Sequence, residues 1–192
     1  MPIHEPTFDS TAALLVVDVQ NAIDDGKWGP RNNLHAEDRI VSLLAAWRRL
    51  GWPIVHVRHD STDPVSPYRP GQVGNDVKTA VAPLPNETLV PKHTNSAFIE
   101  TNLHQRLADL RIATLVICGV LTHNSLEATV RNAGNLGFRV LVPADCCWSV
   151  DKRDLRGKFW AAEDVHQLSL ANMHDEYATV TTAQGILIVL DR

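Results

Sequence analysis

The chain has 192 residues, 44% hydrophobic and 21% charged, with a formal net charge of −4, which suits one domain over 1–192 with a full apolar core. Its basic residues are scattered, with Arg48 and Arg49 the densest pair, so no nucleic-acid partner is expected. No run approaches the ~18 apolar residues of a membrane span, and "MPIHEPTFDS" lacks the basic-then-apolar order of a signal peptide. The cysteines, Cys118, Cys146 and Cys147, offer no disulfide framework and no Cys-x-x-Cys zinc spacing, which fits a cytoplasmic protein.

In chain order, "AALLVVDV" (Ala12–Val19) is a continuous apolar run suited to a strand buried on both faces. A helix follows in "HAEDRIVSLLAAWRRLGW", with Ile40, Leu43, Leu44, Trp47 and Leu50 at helical spacing and Gly51 as its stop. Strands are expected at Pro53–His59 and Glu87–Lys92, a helix at Glu100–Leu110, and a strand at Thr114–Val120. Ser125–Gly137 reads as helix, Arg139–Asp145 as strand, Trp160–Met173 as helix and Tyr177–Thr182 as the last clear strand. The tail "AQGILIVLDR" fits a short helix or an edge strand. The segment Asp60–Asn86, rich in Pro, Gly and Asp, is too long for a passive turn and reads as a functional or a disordered loop. Alternating strands and helices call for an α/β fold, a doubly wound three-layer domain with a mostly parallel sheet.

Open α/β sheets bind ligands beyond the carboxyl ends of their strands. The residues there are Asp18, His59 with Asp60, Lys92, the turn Thr122–Ser125, and Asp145. A carboxylate at the end of an otherwise apolar strand is costly unless compensated, and Asp18 and Lys92 satisfy each other if their strands end at one cleft. Ser125 in the first turn of its helix could simply cap backbone N–H groups, or could meet a developing anion at the positive end of the helix. No Gly-x-Ser-x-Gly elbow, P-loop or Gly-x-Gly-x-x-Gly is present. Cys118 reads as core, and Cys146 and Cys147 are weak alternatives for a reactive thiol.

The segments "ALLVVDVQNAI", "WGPRNN", "PIVHVRHDS", "LVPKHTNSAFIETNL" and "LVICGVLTHNSLEATVRNAGNLGFRVLVPAD", in that order, resemble the isochorismatase-like (cysteine hydrolase) superfamily. The resemblance implies a six-stranded sheet, a small-molecule substrate and assembly into dimers or higher homo-oligomers. It implies an Asp-Lys-Cys triad, matched by Asp18 as base, Lys92 as electrostatic partner, and Ser125 where the cysteine usually stands. It further implies a cis peptide between Val120 and Leu121, with the N–H groups of Leu121 and Ser125 as an oxyanion hole. Ser125 is either native or an engineered replacement of a cysteine; the native reading is favoured, because "HNS" departs from the cysteine pattern at neighbouring positions too.

Substrate contacts are expected from Trp28, Arg31 (a carboxylate clamp), His123 and Asn124, with packing of a surface loop the equal alternative for Trp28 and Arg31. His56, His59 and Asp60 offer metal-type ligands. However, "HVRHD" lacks the Asp-x-His spacing of the family's nicotinamidases, and on a strand His56 and His59 face opposite ways, so no metal or other cofactor is expected. The leading expectation is hydrolysis of an amide-type C–N bond. The alternatives are isochorismatase-type vinyl-ether cleavage with Asp18 as acid, or a catalytically silent binding protein.

Overall fold

Six consecutive buried residues, Ala12–Val17, form strand β1 of the computed structural model, which describes Phe8 and residues 11–191. A strand with no polar face needs cover on both sides. The chain supplies it by continuing through α1 (Ala36–Leu50), β2 (Ile54–His59), β3 (Thr88–Lys92), α2 (Leu103–Asp109), β4 (Thr114–Val120), α3 (Glu127–Asn135) and β5 (Arg139–Pro143). It then forms β6 (Cys147–Trp148), β7 (Lys152–Arg153), β8 (Phe159–Trp160), α4 (Ala162–Met173), β9 (Thr179–Thr181) and α5 (Ala183–Leu190).

The sheet runs β3-β2-β1-β4-β5-β9 with every pair parallel, and β6 pairs with the end of β4. The chain winds outward from β1 to β3, returns to β4 beside β1, and winds outward again to β9. Right-handed crossovers then place α1 and α3 on opposite faces, where α1 packs against α5 and α3 against α4. The direction of winding reverses between β1 and β4, which opens a crevice at their carboxyl ends.

The α/β reading of the sequence therefore holds, with a mostly parallel sheet flanked by helices. The sheet gains β6 as a seventh strand, too short at two residues for any periodicity to mark. α1 buries Ile40, Leu43, Leu44 and Trp47 along one stripe. The Trp47 indole N–H reaches the Ala12 carbonyl at 2.9 Å. Gly51, at φ 65, ends this helix in the left-handed conformation.

Some boundaries move. The helix expected from Glu100 begins at Leu103, because Glu100 itself has φ 55. The ambiguous tail is the helix α5, started by the Thr182 hydroxyl accepting from the Gly185 N–H at 3.1 Å. The helix expected from Ser125 becomes regular only at Glu127. The preceding turn, Thr122–Leu126, contains a non-helical Asn124 at φ −134 and ψ −105.

The long segment 60–86 is an ordered loop. It holds short helical turns at Val73–Asn75 and Thr79–Val81, and buried amides tie it down. Asn75 Nδ2 donates to the His59 carbonyl (3.0 Å), Asp60 Oδ1 (3.0 Å) and the Tyr68 carbonyl (2.9 Å). The buried Gln20 side chain acts as a stand-in for a neighbouring strand. It accepts from the His59 N–H at 2.7 Å and donates to the His59 and Asn75 carbonyls at 3.0 and 2.8 Å.

Candidate active site

Three strand ends converge on one point. Asp18 follows β1 at φ 55, its N–H bonded to the Val57 carbonyl at 2.9 Å. Lys92 closes β3 in register with His59 on β2. Ser125 lies in the turn after β4, past a cis peptide bond between Val120 and Leu121. Lys92 Nζ donates to Asp18 Oδ2 at 2.7 Å, to the Thr94 carbonyl at 3.1 Å and to Ser125 Oγ at 3.4 Å. Asp18, Lys92 and Ser125 are 4%, 1% and 7% exposed, so each depends on the others to satisfy its polar atoms.

Asp18 Oδ1 is buried without a hydrogen-bond partner. Burial raises the Asp18 carboxyl above its ordinary range, opposed by the Lys92 ammonium and, more weakly, by His59 and the Ser125 hydroxyl. A carboxylate in that state has an oxygen with no donor to satisfy it and accepts a proton more readily than one in water.

The turn that carries Ser125 is fixed from behind. Thr122 Oγ1 lies 2.8 Å from Nδ1 of the buried His166, the Ser169 hydroxyl donates to the Thr122 carbonyl at 3.0 Å, and the Thr129 hydroxyl donates to the Ser125 carbonyl at 2.7 Å. The Ser125 hydroxyl caps neither the turn nor α3, so it is left to Lys92 and the cleft.

The cleft over these residues holds about 130 Å³ and is lined by Asp18, Ile23, Trp28, His59, Ser66, Tyr68, Asn95, Val120, Leu121, Asn124 and Ser125. Trp28 and His59 each meet the Tyr68 ring edge to face, at 6.2 and 5.7 Å between centroids. Burial, reinforced by Lys92, keeps the His59 ring below its ordinary pKa, so it is neutral at pH 7. Tyr68, Ser66 and Asn95 escaped the sequence reading. They sit in irregular segments, where no period or strand end marks them.

Two expected substrate contacts lie elsewhere. Arg31 is no free clamp, because its guanidinium forms a two-pronged pair with Glu37 at 2.8 and 2.5 Å and lies 4.4 Å over the Trp148 ring. His123 does not line the cleft but a second cavity behind the turn, with Nδ1 2.5 Å from Ser149 Oγ. Burial pulls its pKa down to about 4. Trp28 and Asn124 do line the cleft.

The thiols of Cys118, Cys146 and Cys147 are buried, and burial pushes all of them up, which makes them poor nucleophiles. His56 points away from the cleft, its Nε2 2.9 Å from Glu87 Oε2. Among the described residues no group of three or more His, Cys, Asp or Glu stands ready to hold a metal ion.

The family model of the isochorismatase domain matches residues 12–185. The isochorismatase family protein YrdC of Bacillus subtilis is 39% identical over 91% of this chain and 94% of its own length. Streptothricin hydrolase of Streptomyces noursei is 36% identical over 69% of this chain and 48% of its own length. An isochorismatase-family structure from Chromobacterium violaceum superposes with a TM-score of 0.96 at 48% identity, covering 100% of this chain and 99% of its own. With the reversal of winding between β1 and β4 and the Asp18–Lys92–Ser125 cluster at its mouth, the chain belongs to the isochorismatase family.

Proposed function

We propose that the protein is a hydrolase of a small, uncharged, amide-type substrate, and that Ser125 is its nucleophile. The observation that carries this reading is the contact of Ser125 Oγ with the buried Lys92–Asp18 pair. An alcohol is a far weaker acid than the cysteine thiol usual at this position, with its pKa near 8.5, so it needs a base raised above ordinary carboxylate strength. Asp18 is such a base. In the first step Asp18 takes the hydroxyl proton as Oγ bonds to the carbonyl carbon, and the N–H groups of Leu121 and Ser125 receive the oxyanion. The C–N bond then breaks as Asp18 passes that proton to the leaving nitrogen. Water cleaves the resulting ester, losing a proton to Asp18, which returns it to Ser125 Oγ. Throughout, Lys92 holds the carboxylate in place and opposes the build-up of negative charge.

The lining of the cleft supports an uncharged substrate. Its one formal anion is Asp18, Lys92 is spent on that anion, and Arg31 is spent on Glu37. A carboxylate placed there finds no free cation. The similarity to streptothricin hydrolase supports hydrolysis as the reaction class.

Ether cleavage with Asp18 as proton donor is the second reading, favoured by the raised carboxyl alone. Intact-protein mass spectrometry after mixing with a panel of small amides and esters separates the two. The nucleophile reading expects an acyl adduct on Ser125 and no turnover by Ser125→Ala. Turnover that survives in Ser125→Ala sinks it in favour of acid catalysis.

A further inference from the structure

Two buried polar atoms on residues lining the cleft have no hydrogen-bond partner, Oδ1 of Asp18 and Nδ1 of His59. Such atoms are few in a native fold, and each calls for a reason. Packing is no reason for the nitrogen. His59 meets Tyr68 edge to face, and a phenylalanine would do the same with no buried nitrogen to satisfy. Yet the backbone of His59 is held from both sides. Its N–H donates to Gln20 Oε1 at 2.7 Å, and its carbonyl accepts from Gln20 Nε2 and from Asn75 Nδ2, each at 3.0 Å. Gln20 and Asn75 are themselves buried. The register of β2 and β3 sets His59 beside Lys92, and so on the same face of the sheet. Support of this kind from a second layer of polar groups is what a residue needs if it is to hold a reactant in place.

The two orphaned atoms do not bond each other, although the two groups are near enough for their charges to interact. What joins them must therefore be small. It must donate to a carboxylate and bond a neutral imidazole in whichever tautomer the ring adopts. Water meets all of these conditions, needing about 30 Å³ and two or more polar partners. The cleft holds about 130 Å³, enough for that water and a small acyl group side by side.

We propose, resting on the reading of Ser125 as nucleophile, that Asp18 Oδ1 and His59 Nδ1 together seat the water that cleaves the acyl ester, with His59 as a positioning residue. Lys92 occupies Asp18 Oδ2, so Oδ1 is the oxygen left to take a proton. One O–H bond of the water breaks and its proton passes to Asp18 Oδ1 as the water oxygen bonds to the ester carbonyl carbon. The bond from that carbon to Ser125 Oγ then breaks, and Asp18 returns the proton to Oγ. The protonation of His59 is the same before and after. Its part is to hold the water by a second bond, so that the oxygen is aimed at the ester.

Stopped-flow release of p-nitrophenolate from p-nitrophenyl acetate, with intact-protein mass spectrometry alongside, tests the proposal. His59→Phe should keep a rapid burst of one product per chain, which also counts the correctly folded sites, and then turn over about 100-fold more slowly than the wild type. The acetyl adduct on Ser125 should accumulate in step with that loss. Hydroxylamine attacks an ester without a base to take its proton, so adding it should restore turnover to His59→Phe and yield the hydroxamate. His59→Asn, which keeps a polar atom close to the place of Nδ1, should recover much of the lost rate. Burst and steady state slowed in equal proportion, turnover unchanged from the wild type, or no rescue by hydroxylamine would each overturn the role of His59 while leaving Ser125 as nucleophile. No acetyl adduct in either protein would overturn the nucleophile reading itself, and the water site with it.

Discussion

Asp18 and Lys92 form an ion pair with almost no water to support either charge, with side chains 6% and 0% exposed. Removing one partner of such a pair strands the other, which typically costs about 3–5 kcal/mol, whereas replacing both can be nearly neutral. Lys92→Met strands the Asp18 carboxylate and should therefore lower stability by about 3–5 kcal/mol, read as a fall in the urea midpoint. Adding Asp18→Asn should recover most of that loss without restoring any activity. A double variant no more stable than Lys92→Met would show that the pair is not what holds these strand ends. Both residues were legible in the sequence because each is a charge ending an apolar run. Arg31 cannot be assigned a partner from sequence, and only the fold shows that Glu37 captures it. Tyr68 could not be found at all, since nothing local distinguishes it from any other loop tyrosine.

Among the elements, β1 and β4 pair along six residues, and at the end of that ladder Gly119 lets them meet without a clash. It pairs with Val17 at φ 118. A Cβ there would lie 2.2 Å from the Val17 carbonyl oxygen and 2.8 Å from the Val17 nitrogen. Neither is the end of a flexible side chain, so β4 would have to move from β1 directly beneath Asp18 and Val120. Gly119→Ala combines a backbone clash with a conformation costly for a residue bearing Cβ, and should lose roughly 3–5 kcal/mol. Gly26→Ala, with nothing within 4 Å of the new methyl, should stay within about 0.5 kcal/mol. Similar urea midpoints for the two variants would refute this account. The long elements were readable from apolar period alone, as β1 and α1 show. Harder to read was whatever rests on side chains acting as backbone. Gln20 extends the pairing at the end of β2 by its amide, and Asn75 anchors a 27-residue connection that composition left open between order and disorder. The two-residue strands β6, β7 and β8 carry no pattern long enough to detect.

At the scale of the whole molecule, two half-buried carboxylates staple the ends of α1 to the rest of the chain. At its start Glu37 accepts from Arg31 and from Lys78 at 2.8 Å. Just beyond its end Glu87 accepts from Arg48 at 2.7 Å, the Leu84 N–H at 2.9 Å and His56. Burial pushes both carboxyls up, but these partners outweigh it and hold each at about 2, against an ordinary value of 4.5. A carboxyl depressed in the folded state contributes stability that is complete above pH 4.5 and is lost as the pH falls towards 2. Each is worth about 3 kcal/mol, and together they should dominate acid unfolding. His56 and His59 are held neutral by burial and weaken the fold earlier, as the pH drops below about 6.5. Asp18 acts in the opposite sense, since a raised carboxyl favours the fold as protons bind. The urea midpoint of the wild type should therefore fall gently from pH 6.5 to 4.5 and steeply below. Glu87→Gln should be less stable at pH 7 but fall less between pH 4.5 and 2, so that its curve converges on the wild type. Curves that stay parallel through that window would mean that the staples at α1 do not set the acid limit of the fold.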